Sequence, residues 1–86
     1  MLQAQAMRIE ITTHARERMQ EYNVSESLVV ETVQNPDSRV EGYGGRMVYQ
    51  KKLNGYILRV VVEETKGIKR TITVYKARSG RYEIQV

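Results

Sequence analysis

Asn54-Gly55 stands between two alternating apolar runs, Met47–Leu53 and Tyr56–Glu64, and no other feature constrains this chain as tightly. Two-residue loops join antiparallel strands best in type I′ geometry, whose two central residues both need positive φ, and Asn-Gly meets that need. The loop length also fixes the pairing. It sets Arg46 opposite Glu63 and Val48 opposite Val61, with Met47 and Tyr49 facing Val62 and Val60, and Gln50 beside Arg59. Opposite charges and apolar pairs coincide in that register, and a slip of one residue would turn every side chain to the wrong face.

The flanking segments complete a fold. Lys66-Gly67 turns the chain into Lys69–Arg78, where Ile72 and Val74 alternate with Thr71, Thr73 and Tyr75; its register can be drawn two ways, one residue apart. Ser79-Gly80 breaks this strand, and Arg81–Val86 reads as an additional edge strand. Near the start, Arg8–Thr12 alternates as a short strand. A helix follows over about 13–22, capped by Thr12 or Thr13 and ended at Asn23. Ser25 caps a second helix, Val24 and Val29 form its hydrophobic staple, and Asn35-Pro36 stops it. The expected architecture is α+β, in the order β-α-α-β-β-β. Two helices cover one face of an antiparallel sheet, and the other face is left partly open, where the surplus Lys, Arg and Tyr are expected to collect.

Length and composition narrow the function. Residues 1–86 suffice for one domain with a modest core, so a surface groove is expected rather than a deep pocket. Met7 opens a cleaner beginning than Met1, and the residues before it read as an extension outside the fold or a misassigned start. There is no cysteine, which removes disulfides, thiolate nucleophiles and Cys-ligated zinc. The single histidine removes a multi-histidine metal site, and Gly42-Tyr43-Gly44-Gly45 lacks the strand-before, helix-after context of a phosphate loop. No metal and no cofactor are expected. Neither a run of 18 apolar residues nor a secretory signal is present, so the expected location is the cytoplasm, with no membrane partner.

Charge points to a partner. Residues 1–45 carry four Arg or Lys against seven Asp or Glu, whereas residues 46–86 carry ten against three. Five of the six tyrosines, from Tyr43 onward, interleave with those cations. Cations bind phosphates and tyrosine rings stack on bases, so RNA is the expected partner. The alternative is a solvated sheet whose edges are guarded by Lys and Arg.

Several residues carry the candidate chemistry. Arg59 interrupts the apolar run Ile57-Leu58-Arg59-Val60-Val61-Val62, and a guanidinium fixed on a rigid strand can hold a phosphate or stabilise a phosphoryl-transfer transition state. Lys76, Arg78, Arg81 and Tyr82 form the densest C-terminal group, while Lys51 and Lys52 add cations on the preceding hairpin. Metal-free RNA cleavage needs a base, cations on the phosphate and an acid, roles open to Arg, Lys and Tyr when suitably placed. His14, near the start of the first helix, is a candidate general base or acid, or else a helix-start residue bonded to a neighbour.

The run Ile11-Thr12-Thr13-His14-Ala15-Arg16-Glu17-Arg18-Met19, with Val24-Ser25, Asn35-Pro36 and the closing Val74-Tyr75, resembles a family of small bacterial and archaeal proteins. That family is a numbered domain of unknown function. It is similar in architecture to the RelE/ParE and BrnT toxins of toxin–antitoxin systems, over about residues 9–83. The resemblance implies a RelE-like domain whose basic sheet face docks messenger RNA, ribosome-bound in the RelE case, for metal-independent cleavage. It also implies a cognate antitoxin protein as partner. By order along the chain, Arg59, Arg78 and Tyr82 take the places of the working residues. ParE-like members keep the fold and block gyrase instead, so a non-enzymatic binding module is the alternative, as is a housekeeping RNA-binding protein.

Overall fold

Along residues 8–78, which the computed structural model describes, the chain forms β1 (Arg8–Ile11), α1 (Thr13–Tyr22), α2 (Glu26–Gln34) and β2 (Ser38–Glu41). A short 3-10 turn at Tyr43–Gly45 leads to β3 (Met47–Leu53), β4 (Tyr56–Thr65) and β5 (Ile68–Arg78). The expected N-terminal extension, the expected strand at Arg81–Val86, and Arg81 and Tyr82 themselves lie outside the described residues.

The β3–β4 hairpin adopts the register set by its two-residue loop. Met47 pairs with Val62, Val48 with Val61, Tyr49 with Val60 and Gln50 with Arg59. Arg46 Nε lies 3.5 Å from Glu63 Oε2, as the register requires. The turn itself differs from expectation. Gly55 has φ 85°, but among the described non-glycine residues only Asn23 and Lys66 have positive φ. Asn54-Gly55 therefore shows the φ signs of a type II turn, whose one demand is glycine at the second position. The type I′ signs fall on Lys66-Gly67, at φ 49° and 81°.

β4 and β5 pair antiparallel with a bulge: Val61 faces Thr73, whereas Val62 faces Thr71. The extra residue is Ile72, and its insertion decides between the two registers that alternation alone left open.

Two features depart from the expected order. The sheet is mixed, because β1 runs parallel to β5, from Arg8 opposite Ile68 to Ile11 opposite Thr71. A fifth strand, β2, pairs antiparallel with β3, and the strands lie in the order β1-β5-β4-β3-β2. Parallel partners need a long connection, and the two helices together with β2, β3 and β4 supply it between β1 and β5.

Both helices are held by local bonds. Thr12 Oγ1 accepts from the Ala15 amide at 3.1 Å, and its hydroxyl donates to the Ile72 carbonyl at 3.3 Å, fastening the start of α1 to the bulge. Asn23, in the left-handed region, ends α1; the Asn23 amide donates to Gln20 O and the Val24 amide to Met19 O. This double closure is a Schellman motif, and Val24 and Met19 make its apolar contact within the core. Ser25 Oγ accepts from Leu28 N at 3.1 Å to start α2. Met19, Val24, Val29 and Val33 form one cluster with Tyr49, Leu58, Val60, Val62 and Val74, so both helices cover the same sheet face. No described helix is long and apolar enough to cross a membrane.

Candidate functional site

Strand pairing decides which side chains share a face. Leu58, Val60 and Val62 point into the helical core, so Ile57, Arg59, Val61 and Glu63 point to the opposite face. On that face Ser38, Gln50, Arg59 and Tyr75 stand in one row across β2, β3, β4 and β5. They are joined side chain to side chain. Gln50 Nε2 donates to Ser38 Oγ at 2.8 Å, Arg59 Nε to Gln50 Oε1 at 2.8 Å, and Arg59 Nη1 to the Tyr75 hydroxyl at 2.6 Å. The guanidinium carbon also lies 5.4 Å from the centroid of the Tyr75 ring. Gln50 is only 6% exposed, so this is a partly desolvated network in which each bond orients the next.

Two further rows flank it. Val40, Val48 and Val61 form an apolar row that ends at Thr73. Beyond them, Arg46 meets Glu63, and Glu10 lies between Arg70 at 3.6 Å and Arg8 at 3.7 Å. The face is less open than a bare sheet, since Val48, Gln50, Ile57 and Ala77 are all buried.

The remaining candidates are dispersed. Lys52 pairs with Ile57 and shares the Arg59 face. Lys51 and Lys76 both pair with Leu58, and Arg78 with Tyr56, which puts all three on the helix side. There Lys51 Nζ donates to Asn35 O at 3.2 Å and lies 3.7 Å from Glu31, while Lys76 Nζ sits 4.5 Å from the Tyr56 ring centroid. His14 is exposed in the first turn of α1. The surplus cations and tyrosines therefore do not gather on a single face, contrary to the expectation from charge. Alternation separates Arg59 from Lys76 and Arg78 by the thickness of the sheet.

Sequence reasoning paired Arg59 with Gln50 but missed Tyr75 and Ser38, which complete the row. Tyr49, which the hairpin register set opposite Val60, is buried in the core. Lys69 Nζ lies 4.9 Å and Arg39 Cζ 5.8 Å from its ring centroid. The signal for Tyr75 lay in the bulge, which no local residue pattern announces.

Residues 11–76 match a domain of unknown function, DUF4258. The chain belongs to this family. Ser38, Gln50, Arg59 and Tyr75 all fall within the matched DUF4258 segment, Lys76 is its last residue, and Arg78 lies beyond it. No curated protein and no solved structure is significantly similar to this DUF4258 chain. Among its described residues no three His, Cys, Asp or Glu side chains gather as a metal site would require.

Proposed function

We propose that the chain is an RNA-binding protein of toxin type, similar in plan to the RelE, ParE and BrnT toxins, and that it contacts RNA through the Arg59 face. The observation that carries this reading is the row Ser38–Gln50–Arg59–Tyr75. It holds a guanidinium in one orientation on a rigid strand, with an aromatic ring against it. A guanidinium so held suits a phosphate, and the adjoining ring suits a base. Lys52, and Arg8 and Arg70 with the single Glu10 between them, extend positive charge over the same face, while Glu63 offsets Arg46. In this reading the chain acts in the cytoplasm, on messenger RNA free or on the ribosome, under the control of a cognate antitoxin.

Binding without cleavage is the form the geometry favours, because Arg59 on one face and Lys76 and Arg78 on the other cannot converge on one phosphate. Metal-independent cleavage is the second reading. Its support is the Tyr75 hydroxyl, a proton carrier 2.6 Å from Arg59 Nη1. The test is expression of the chain alone in a bacterial host, with growth and transcript ends followed together. Arrested growth with intact transcripts supports the binding form, and arrested growth with new transcript ends supports cleavage. Normal growth, with no retention of single-stranded RNA by the purified protein at low salt, overturns both.

A further inference from the structure

β2 forms one end of the sheet, and Arg39, Val40 and Glu41 are exposed along it. The direction of its backbone groups follows from a single bond. Gly42 donates its amide to Arg46 O at 2.8 Å, so the backbone groups of Gly42, and of Val40 two residues earlier, face β3. Ladder bonds alternate along an antiparallel strand, so the N–H and C=O of Arg39 and Glu41 point away from the sheet. Among the described residues no strand lies beyond them.

We propose that this edge is a dimer seam, with β2 running antiparallel to β2 of a second copy. Three registers would use the outward groups of Arg39 and Glu41. Two of them set Arg39 opposite Arg39, or Glu41 opposite Glu41, and like charges directly opposite repel. The third centres on Val40. It puts Arg39 opposite Glu41 at both ends and Val40 against Val40 in the narrow, non-hydrogen-bonded position where side chains come closest. Charge therefore selects one register, and that register buries an apolar residue that is 41% exposed in the single chain. Ser38 then faces Gly42, which has no side chain to obstruct it.

Charged residues on a short edge strand commonly keep other strands away. An edge that guards against its own copy needs charges that repel under a two-fold axis, and here the two charges attract under it. Opposed residues of paired strands point to the same face, so the Val40 pair lies on the Arg59 face of both copies. The two five-stranded sheets become one, and their Ser38–Gln50–Arg59–Tyr75 rows share a continuous surface.

The test is sedimentation of the full chain over a concentration series reaching about 1 mM, a range that populates even a small-area association. The variants are Arg39→Glu, Glu41→Arg, the double charge swap and Val40→Lys, each checked for a cooperative melting transition. The expected result is a wild-type dimer. Each single reversal and Val40→Lys weaken it by about tenfold or more, and the double swap restores it. A wild-type chain that stays monomeric overturns the proposal. So do folded single reversals that dimerise like the wild type, and so does a folded double swap that fails to recover.

Discussion

The Arg59 guanidinium and the Tyr75 hydroxyl meet at 2.6 Å because the two residues are direct partners across β4 and β5. That partnership depends on the bulge at Val61 and Val62. Without the extra residue Ile72, the strand beyond Thr71 would present its other face, and Val74 would leave the core as Tyr75 entered it.

Removing Arg59 should cost stability as well as function. Arg59→Ala leaves Gln50 Oε1, on a residue only 6% exposed, without the donor that satisfies it. A buried acceptor so stranded costs about 1–3 kcal/mol, and chemical denaturation should show a loss in that range. A purely solvated strand arginine would register close to zero. Tyr75→Phe removes one bond and keeps the ring, so it should cost less than Arg59→Ala and leave most RNA affinity in place.

The two tight turns respond in opposite directions. Space around Gly55 is open, with nothing within 4 Å of an added Cβ, so Gly55→Ala is penalised by backbone conformation alone. With φ at 85°, the cost should be about 1 kcal/mol. Lys66 already holds a left-handed conformation, which asparagine adopts more readily. Lys66→Asn should therefore raise stability by a few tenths of a kcal/mol up to about 1 kcal/mol. Thermal melts of the two variants beside the wild type check both signs at once.

At the start of α1 the effects of neighbouring residues should separate. Thr12 caps the helix and bonds the Ile72 carbonyl, so Thr12→Ala should cost about 1–2 kcal/mol. His14 is exposed, and His14→Ala should move stability by no more than about 0.5 kcal/mol and leave RNA binding unchanged. A loss of RNA binding in His14→Ala with an unchanged melt would transfer the contact surface to the helices.

RNA affinity should fall with salt. Each phosphate contact on a single strand contributes about −0.7 to the slope of log affinity against log salt. A titration should give a slope of about −2 or steeper for the wild type, and one shallower by about one contact for Lys52→Ala.

What the sequence made legible was local. Both helices, their caps and the Asn35-Pro36 stop are written in neighbouring residues, and the β3–β4 register follows from the length of one loop. Gln50 beside Arg59 came with that register. The Tyr75 partnership was hidden because a bulge has no strict residue code, and the same ambiguity concealed that Lys76 and Arg78 turn towards the helices. β2 went unseen because its four residues contain one apolar side chain, Val40, too few to show alternation. The parallel pairing of β1 was illegible for another reason. Its partner lies about sixty residues away along the chain, and nothing in Arg8–Ile11 names it.

That distance governs the order in which the molecule can be built. Hairpin pairs close over short loops, whereas β1 must find β5 across about sixty residues, a closure costing about 3–4 kcal/mol in entropy. During synthesis Arg8–Ile11 emerges first and waits for Ile68–Thr71 to leave the ribosome before it has a strand to pair with. The meander from β2 to β5 closes over shorter loops, so the N-terminal strand is expected to close last, as a latch. A chain stalled before residue 68 exposes Ile9 and Ile11 with no sheet to receive them, and is the species most open to proteolysis or chaperone capture.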